Sequence, residues 1–143
     1  MKSRPLDSNE REGLSAHREW INALLAHASP STGLTGTRAD LPTLHTLLDN
    51  GPYSGDAAAE LQVFGTAFGD VVATELRLSW VVVDDDDGTD FALQFDEHQF
   101  FVFPQSMLIK RIERGEDVKE INLEFMLSEL AKQLQEFLRA ADA

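Results

Sequence analysis

Cysteine is absent from this 143-residue chain, which excludes a disulfide scaffold and any chemistry that needs a thiolate. No apolar run approaches the ~18 residues that cross a membrane, so we expect no membrane-spanning segment. Residues 1–13 are charged and lack the apolar stretch of a secretory signal, so we expect a cytoplasmic protein. The length suits one domain with a hydrophobic core.

Basic residues are scarce in the middle of the chain. Of a net charge of −13, nearly all comes from residues 41–100, where Arg77 stands against twelve acidic residues. A negative field of this kind repels nucleic acids and anionic membranes and attracts cationic surfaces. We therefore expect a protein partner with a basic surface, and neither a nucleic acid nor a membrane. The sequence does not indicate an oligomeric state.

The motifs of common catalytic sites are also lacking. No glycine-rich phosphate-binding loop occurs, and Gly51-Pro-Tyr-Ser-Gly55 has its first glycine three residues before the serine, where a nucleophile elbow needs two. The four histidines show no metal-ligand spacing, and His17 falls on the apolar face of a predicted helix, typical of a buried, hydrogen-bonded histidine. The sequence thus predicts no catalytic residue, no metal and no cofactor, and a protein that is not an enzyme.

Apolar residues recurring every three or four positions predict five helices. The first begins at a cap formed by Asp7 or Ser8 and ends before Pro30, and a polar loop over residues 29–40 follows. Asp40 is expected to cap the short second helix. The other helices are predicted at about residues 42–50, 56–76, 104–114 and 123–140.

Three strands are predicted between the third and fourth helices, at residues 78–83, 91–95 and 99–103. Short turns separate them, and the Asp87–Gly88 pair is a strong hairpin signal, so we expect an antiparallel meander. The prediction is one α+β domain of about five helices on a small three-stranded antiparallel sheet. Within it, residues 1–40 form an amino-terminal helix and loop, 41–117 a core, and 118–143 a carboxy-terminal helix.

Four segments of the core carry a resemblance to a known family. They are LQVFGTAFGD (61–70), ELRLSWVVVD (75–84), GTDFAL (88–93) and FPQSMLIKRIE (103–113), preceded by the helix-like residues 44–49. In this order and spacing, residues 41–117 resemble domain-of-unknown-function family 3806, a small, mostly bacterial group. The family has no established chemistry, so the resemblance implies a shared fold and no activity. Four consecutive aspartates depart from the family, which has a more mixed turn.

The aspartate-rich turn is the first candidate site. Aligned as an EF-hand loop with Gly88 at position 6, it has Val83 at position 1 and Gln94 at position 12, so two ligand positions fail and a calcium loop is not predicted. Three interpretations remain, namely a weak cation site of another kind, a solvated hairpin tip, and a recognition surface for a basic partner. The candidate partner-binding residues are Asp84, Asp85, Asp86, Asp87, Asp90, Asp96 and Glu97.

A second candidate site is a pocket between the third helix and the sheet, lined by Gly65, Gly69 and Trp80. The structural explanation is that two glycines four residues apart allow another element to approach the helix closely. The basic residues Lys110, Arg111 and Arg114 are expected to pair with nearby acids or to face solvent.

These features lead to two functional hypotheses. The first is a small, acidic, non-enzymatic interaction protein, specifically a cytoplasmic bacterial immunity or inhibitor protein that neutralises a toxin, since acidity would speed capture of a basic toxin. The alternative is a small-ligand-binding or enzymatic domain that uses the pocket at Gly65, Gly69 and Trp80. Direct mimicry of duplex DNA is a third reading, which needs acids spaced along a surface.

Overall fold

Five α-helices pack around a four-stranded antiparallel sheet in the computed structural model, which describes residues 2–28, 33–53, 56–86 and 88–142. The helices are α1 (Ser8–Ala28), α2 (Asp40–Asn50), α3 (Ala58–Leu76), α4 (Pro104–Glu113) and α5 (Leu123–Asp142). The strands are β1 (Lys2–Arg4), β2 (Ser79–Asp85), β3 (Gly88–Gln94) and β4 (Phe101–Val102), and a 3-10 helix spans Val118–Glu120. The predicted α+β class and all five helices are confirmed.

The start of α1 shows why the helix boundaries could be predicted. The Glu10 N–H donates to the Asp7 carboxylate at 2.8 Å, and the Asp7 N–H donates to the Glu10 carboxylate at 2.9 Å. This reciprocal arrangement satisfies two backbone donors that the first helical turn leaves without partners. Of the two candidate caps, Asp7 is therefore the one that the fold uses.

The sheet has four strands in the order β1-β2-β3-β4, so the prediction of three strands was wrong by one. The missed strand, β1, pairs antiparallel with β2, with Lys2 opposite Asp84 and Arg4 opposite Val82. Strand β1 was missed because its three residues show no alternation of apolar and polar side chains. Contacts with residues distant in the sequence hold the strand in place. The Arg4 guanidinium donates two 2.8 Å hydrogen bonds to Glu10, which hold the pKa of Glu10 at about 2, and lies 3.3 Å from Asp84.

The β2–β3 hairpin follows the predicted meander. Its register places Trp80 opposite Leu93 and Asp85 opposite Gly88. Gly88 has a φ of 131°, a value that residues with a Cβ atom rarely adopt, which explains the glycine at the turn. Strand β4 is limited to Phe101–Val102 and is shorter than predicted.

Helix α3 lies at the centre of the hydrophobic core. The apolar stripe expected from its sequence is almost fully inaccessible to solvent and comprises Leu61, Phe64, Phe68, Val71 and Val72. The main cluster of buried side chains extends from Ile21 in α1 to Leu134 in α5 and includes residues of all five helices. In the described ranges, none of the helices is both long and apolar enough to span a bilayer.

The loop before α2 corrects one prediction. Asp40 is nearly buried and is the first residue of α2, but its carboxylate accepts hydrogen bonds from the backbone N–H groups of Thr35 and Gly36 at 2.8–3.1 Å. It therefore closes the preceding loop instead of capping the helix, because the loop N–H groups compete for the same oxygens. Residues 29–32 of the predicted loop lie outside the described residues.

Candidate functional site

The two glycines of the candidate pocket lie where α4 and Trp80 approach α3. A Cβ atom at Gly65 would lie 2.7 Å from the Cα of Gln105 and closer still to the carbonyl oxygen of Pro104. One at Gly69 would lie 2.7 Å from the indole of Trp80. The structural explanation for the glycine pair is therefore confirmed. Directly above these glycines the structure places atoms of α4 and Trp80, so the three predicted residues are brought together in tight packing.

Asp70 connects three elements beside this packed region. Its carboxylate accepts two hydrogen bonds from the Arg18 guanidinium, from Nε at 2.7 Å and from Nη2 at 2.9 Å. It also accepts one from the indole Nε1 of Trp80 at 2.9 Å. A bidentate arginine–carboxylate pair is among the stronger and geometrically more specific polar contacts in proteins. Asp70 thus fixes the orientation of both Arg18 and Trp80.

A second polar chain crosses the α1–α3–α4 junction. His17 Nδ1 lies 2.8 Å from the hydroxyl of buried Thr66, which also accepts a 2.9 Å hydrogen bond from the Gln105 side-chain amide. Burial lowers the pKa of His17, and the neighbouring Arg18 charge lowers it further. The expected hydrogen bond of His17 is confirmed, but the side chain is partly exposed and not fully buried as predicted.

An open cleft lies on the α1 side of Trp80. Its volume is about 380 Å³, within the range of small-molecule sites. Leu6, Leu14 and Trp80 form its apolar walls, and Arg11 and Arg18 of α1 supply two guanidinium groups. We call this site the Trp80 cleft.

Four of the candidate residues, Asp84, Asp85, Asp86 and Asp90, lie at the β2–β3 turn and are exposed, and we call them the hairpin-tip aspartates. The fifth aspartate predicted for this turn, Asp87, lies outside the described residues. Asp84 accepts a 2.8 Å hydrogen bond from the Thr89 hydroxyl and pairs with Arg4. Since successive strand residues project to opposite faces, Asp84 and Asp85 direct their charges to different sides of the sheet.

The other two candidate partner-binding residues, Asp96 and Glu97, lie in the β3–β4 turn, and both are exposed. Strand β3 separates this turn from the hairpin tip, a distance of roughly 20 Å at ~3.4 Å per residue. The structure therefore places the hairpin-tip aspartates at one end of the hairpin, on both faces of the sheet, and leaves Asp96 and Glu97 at the opposite end of β3. Their proximity in the sequence alone had suggested that all the candidate partner-binding residues lie on one surface.

A polar cleft of about 520 Å³ places Asp85 and Asp90 near Lys110 of α4. The next basic residue, Arg111, pairs with Glu116 at 3.2 Å. This pair agrees with the expectation that the basic residues of α4 neutralise acids within the chain. Among the described residues, no group of three or more histidine, aspartate or glutamate side chains is arranged to hold a metal ion.

Sequence reasoning missed the Trp80 cleft because its residues come from two distant parts of the chain. One signal was present: Arg11, Ser15 and Arg18 are four and three residues apart, a spacing that places them along one helix face. The sequence could not show that this face borders Trp80, because Pro5 and Leu6 line the cleft only when β1 pairs with β2.

Comparisons with known proteins relate this chain to a solved structure and to a protein family. The chain is similar to a protein from Bacteroides thetaiotaomicron VPI-5482 whose crystal structure was solved at 1.50 Å, with a TM-score of 0.67 and 15% identity. The match covers 84% of this chain and 46% of that one, so this chain spans about half of its length. No curated protein matches the sequence. A family model described as a domain of unknown function matches residues 40–122 and confirms the resemblance seen in the sequence. The chain belongs to domain-of-unknown-function family 3806.

Proposed function

We propose that this protein is a non-enzymatic binding protein whose hairpin tip docks onto a protein with a basic surface. The observation that carries the proposal is the exposure of the hairpin-tip aspartates on a paired hairpin, in a chain of net charge −13. Strand pairing fixes the backbone of Asp84, Asp85 and Asp90, so little ordering entropy is lost on binding.

Charge at this tip favours fast association. Electrostatic complementarity raises association rates and selects partners, while exposed ion pairs add little affinity each. Arg4 neutralises part of the charge at Asp84, whereas neither Asp86 nor Asp90 forms an ion pair within the described residues, so these two are the better candidates for contact with the partner. The turn at Asp96 and Glu97 is too distant to belong to the same small contact.

In its more specific form, the proposal is a cytoplasmic bacterial immunity or inhibitor protein that neutralises a toxin. Support comes from the acidic surface, since the sites of nucleases and other enzymes that act on nucleic acids are basic. Rapid capture of such an enzyme would protect the cell that makes it.

The test compares two variants that each remove two charges. D86N/D90N alters the hairpin tip, and D96N/E97Q alters the opposite end of β3. A partner captured by the unmodified protein is purified, and its Kd for all three forms is measured at low and physiological ionic strength. We expect D86N/D90N to weaken binding by about tenfold and to reduce its salt dependence, with a smaller effect of D96N/E97Q.

Equal effects of the two variants would contradict docking at the tip, and binding that does not respond to salt would contradict its electrostatic basis. The inhibitor form has a separate test. If the gene next to the one for this chain encodes a toxin, the purified toxin should lose activity when this protein is added in equimolar amount. A toxin that stays active would exclude the inhibitor form and leave the binding proposal standing.

A further inference from the structure

We propose that the Trp80 cleft binds a small monoanion with an apolar body, of the class of aryl-alkyl or alkyl carboxylates. This site lies apart from the hairpin tip and does not depend on the function proposed for it. The cleft combines three properties of small-molecule sites, namely sufficient volume, apolar walls and a small number of placed polar groups.

The apolar walls are suited to the body of such a ligand. Leu14 is almost fully buried and Leu6 is 9% exposed, so packing holds these two walls in place, while half-buried Trp80 offers a larger aromatic surface. These residues and Val82 form a separate small cluster beside the main core. A ligand that covers Trp80 would remove apolar surface from water, which is the main favourable contribution to binding in such sites.

The guanidinium groups are suited to an acid group. Arg18 uses Nε and Nη2 for Asp70, and within the described residues no hydrogen bond occupies Nη1, so Nη1 can donate to another acceptor. Arg11 donates from Nη1 to the carbonyl oxygen of Leu6 at 2.8 Å, and in the described part of the chain its other N–H groups have no hydrogen-bond acceptor. Arginine presents its donors in a planar fork that matches a carboxylate.

The charge balance selects a monoanion. Arg11 and Arg18 contribute two positive charges, and Asp70, bound to Arg18, contributes one negative charge. A single negative charge on the ligand would neutralise the remaining excess, whereas a dianion would leave a negative charge near Asp70. The net charge of −13 repels a polyanion more strongly than a small monoanion. At physiological salt, the repulsion between a small ion and charges more than about 8 Å away is largely screened.

The site is held in place before any ligand arrives. Asp70 fixes Arg18 and the Trp80 indole together, and the Leu6 carbonyl fixes Arg11. A site whose side chains are already ordered loses less conformational entropy on binding. This preorganisation distinguishes the Trp80 cleft from a surface groove lined by mobile side chains.

The experiment titrates the full chain with phenylbutyrate, with phenylbutanol as the uncharged analogue and phenyl phosphate as the dianion. Binding is followed by calorimetry and by the two indole N–H resonances in NMR spectra, with a Trp20→Phe variant to assign them. We expect millimolar or tighter binding of phenylbutyrate, a shift of the Trp80 resonance, and weaker binding of the other two compounds.

Three variants locate the site. Arg11→Gln should weaken phenylbutyrate binding by about tenfold and leave phenylbutanol unchanged, because it removes a charged donor only. Arg114→Gln, the same substitution at an exposed position after α4, should change neither. Ser15→Phe, which adds bulk to an exposed position of α1 at the cleft, should reduce binding of both compounds without unfolding the chain.

Specific results would overturn the proposal. Absence of phenylbutyrate binding at millimolar concentration would exclude the site, as would equal effects of Arg11→Gln and Arg114→Gln. Tighter binding of phenyl phosphate than of phenylbutyrate would contradict the selection of a monoanion. Binding that shifts the Trp20 resonance and not that of Trp80 would place the ligand elsewhere.

Discussion

The α3–α4 junction and the β2–β3 hairpin tip are both part of the segment that matches the family, yet they obey different physical constraints. At the junction, Gly65 and Gly69 bring backbone and indole atoms into contact, and one added methyl group would overlap a neighbour. At the tip, aspartate side chains extend into solvent. The comparison shows that one family segment combines a junction where sequence is restricted by packing with a tip where charge can vary at small cost in stability.

The largest expected effect is at the junction. Gly65→Ala should destabilise the protein by about 2 kcal/mol, because overlap with the backbone of α4 outweighs the ~1 kcal/mol gained from helix propensity. The control is Gly13→Ala in α1, where a Cβ atom would meet nothing within 4 Å. That variant should be stabilised by up to about 1 kcal/mol in urea unfolding. Equal behaviour of the two variants would contradict the close approach at Gly65.

The ion pair beside the junction should have the next largest effect. Asp70→Asn weakens the contacts to Arg18 and Trp80 and should cost about 1.5 kcal/mol, the range of hydrogen bonds to charged groups. Glu124→Gln removes the partner of Arg38 in a pair whose side chains are 48% and 56% exposed, and it should cost under ~0.5 kcal/mol. Urea unfolding of both variants measures the difference, and a Glu124 effect as large as that of Asp70 would refute it.

A smaller, pH-dependent effect is expected from His17. The pKa of His17 in the folded protein is lower than the ordinary value of 6.5. At pH values between the folded pKa and 6.5, the unfolded chain therefore binds more protons than the folded protein. This contribution to stability is complete above pH 6.5 and is lost as the pH falls from 6.5 through the folded pKa. His17→Gln should therefore reduce the loss of stability between neutral and mildly acidic pH. Identical pH profiles of the two proteins would contradict the prediction.

The smallest effect is expected at the hairpin tip. Asp86→Asn should change the free energy of unfolding by less than about 0.5 kcal/mol, since the residue is exposed and lies outside the core. The same substitution, combined with Asp90→Asn, is expected to weaken partner binding. Substitutions at the tip should therefore change binding with little change in stability. A large loss of stability in Asp86→Asn would show that the tip has a structural role.

Local signals account for the parts of the fold that could be predicted. The caps and apolar stripes of the helices depend on residues a few positions apart. These signals predicted the bounds of α1 to α5 to within a few residues. For the same reason the spacing of Gly65 and Gly69 indicated the close approach of another element, although a pocket was also predicted there. Strand β1 was missed because its pairing with β2 depends on contacts of Arg4 with Glu10 and Asp84.

The candidate sites also divide into features that the sequence indicated and features that depend on tertiary contacts. Charge counting identified the hairpin-tip aspartates, but it also grouped Asp96 and Glu97 with them, although β3 separates the two turns. The Trp80 cleft left almost no signal, because its arginines are on α1 and its aromatic wall is on β2. A site assembled from distant segments becomes visible only when those segments are packed.

The sequence alone determined the α+β class, the family, the helix positions and the acidity of the central segment, since each depends on composition or on spacing along the chain. Tertiary structure decided which strand completes the sheet, which acids share a surface, and which side chains meet at Trp80. These features depend on contacts between residues far apart in sequence, such as Arg18 with Asp70 and Arg4 with Asp84. Local patterns carry no information on such distances, and only the packed core sets them.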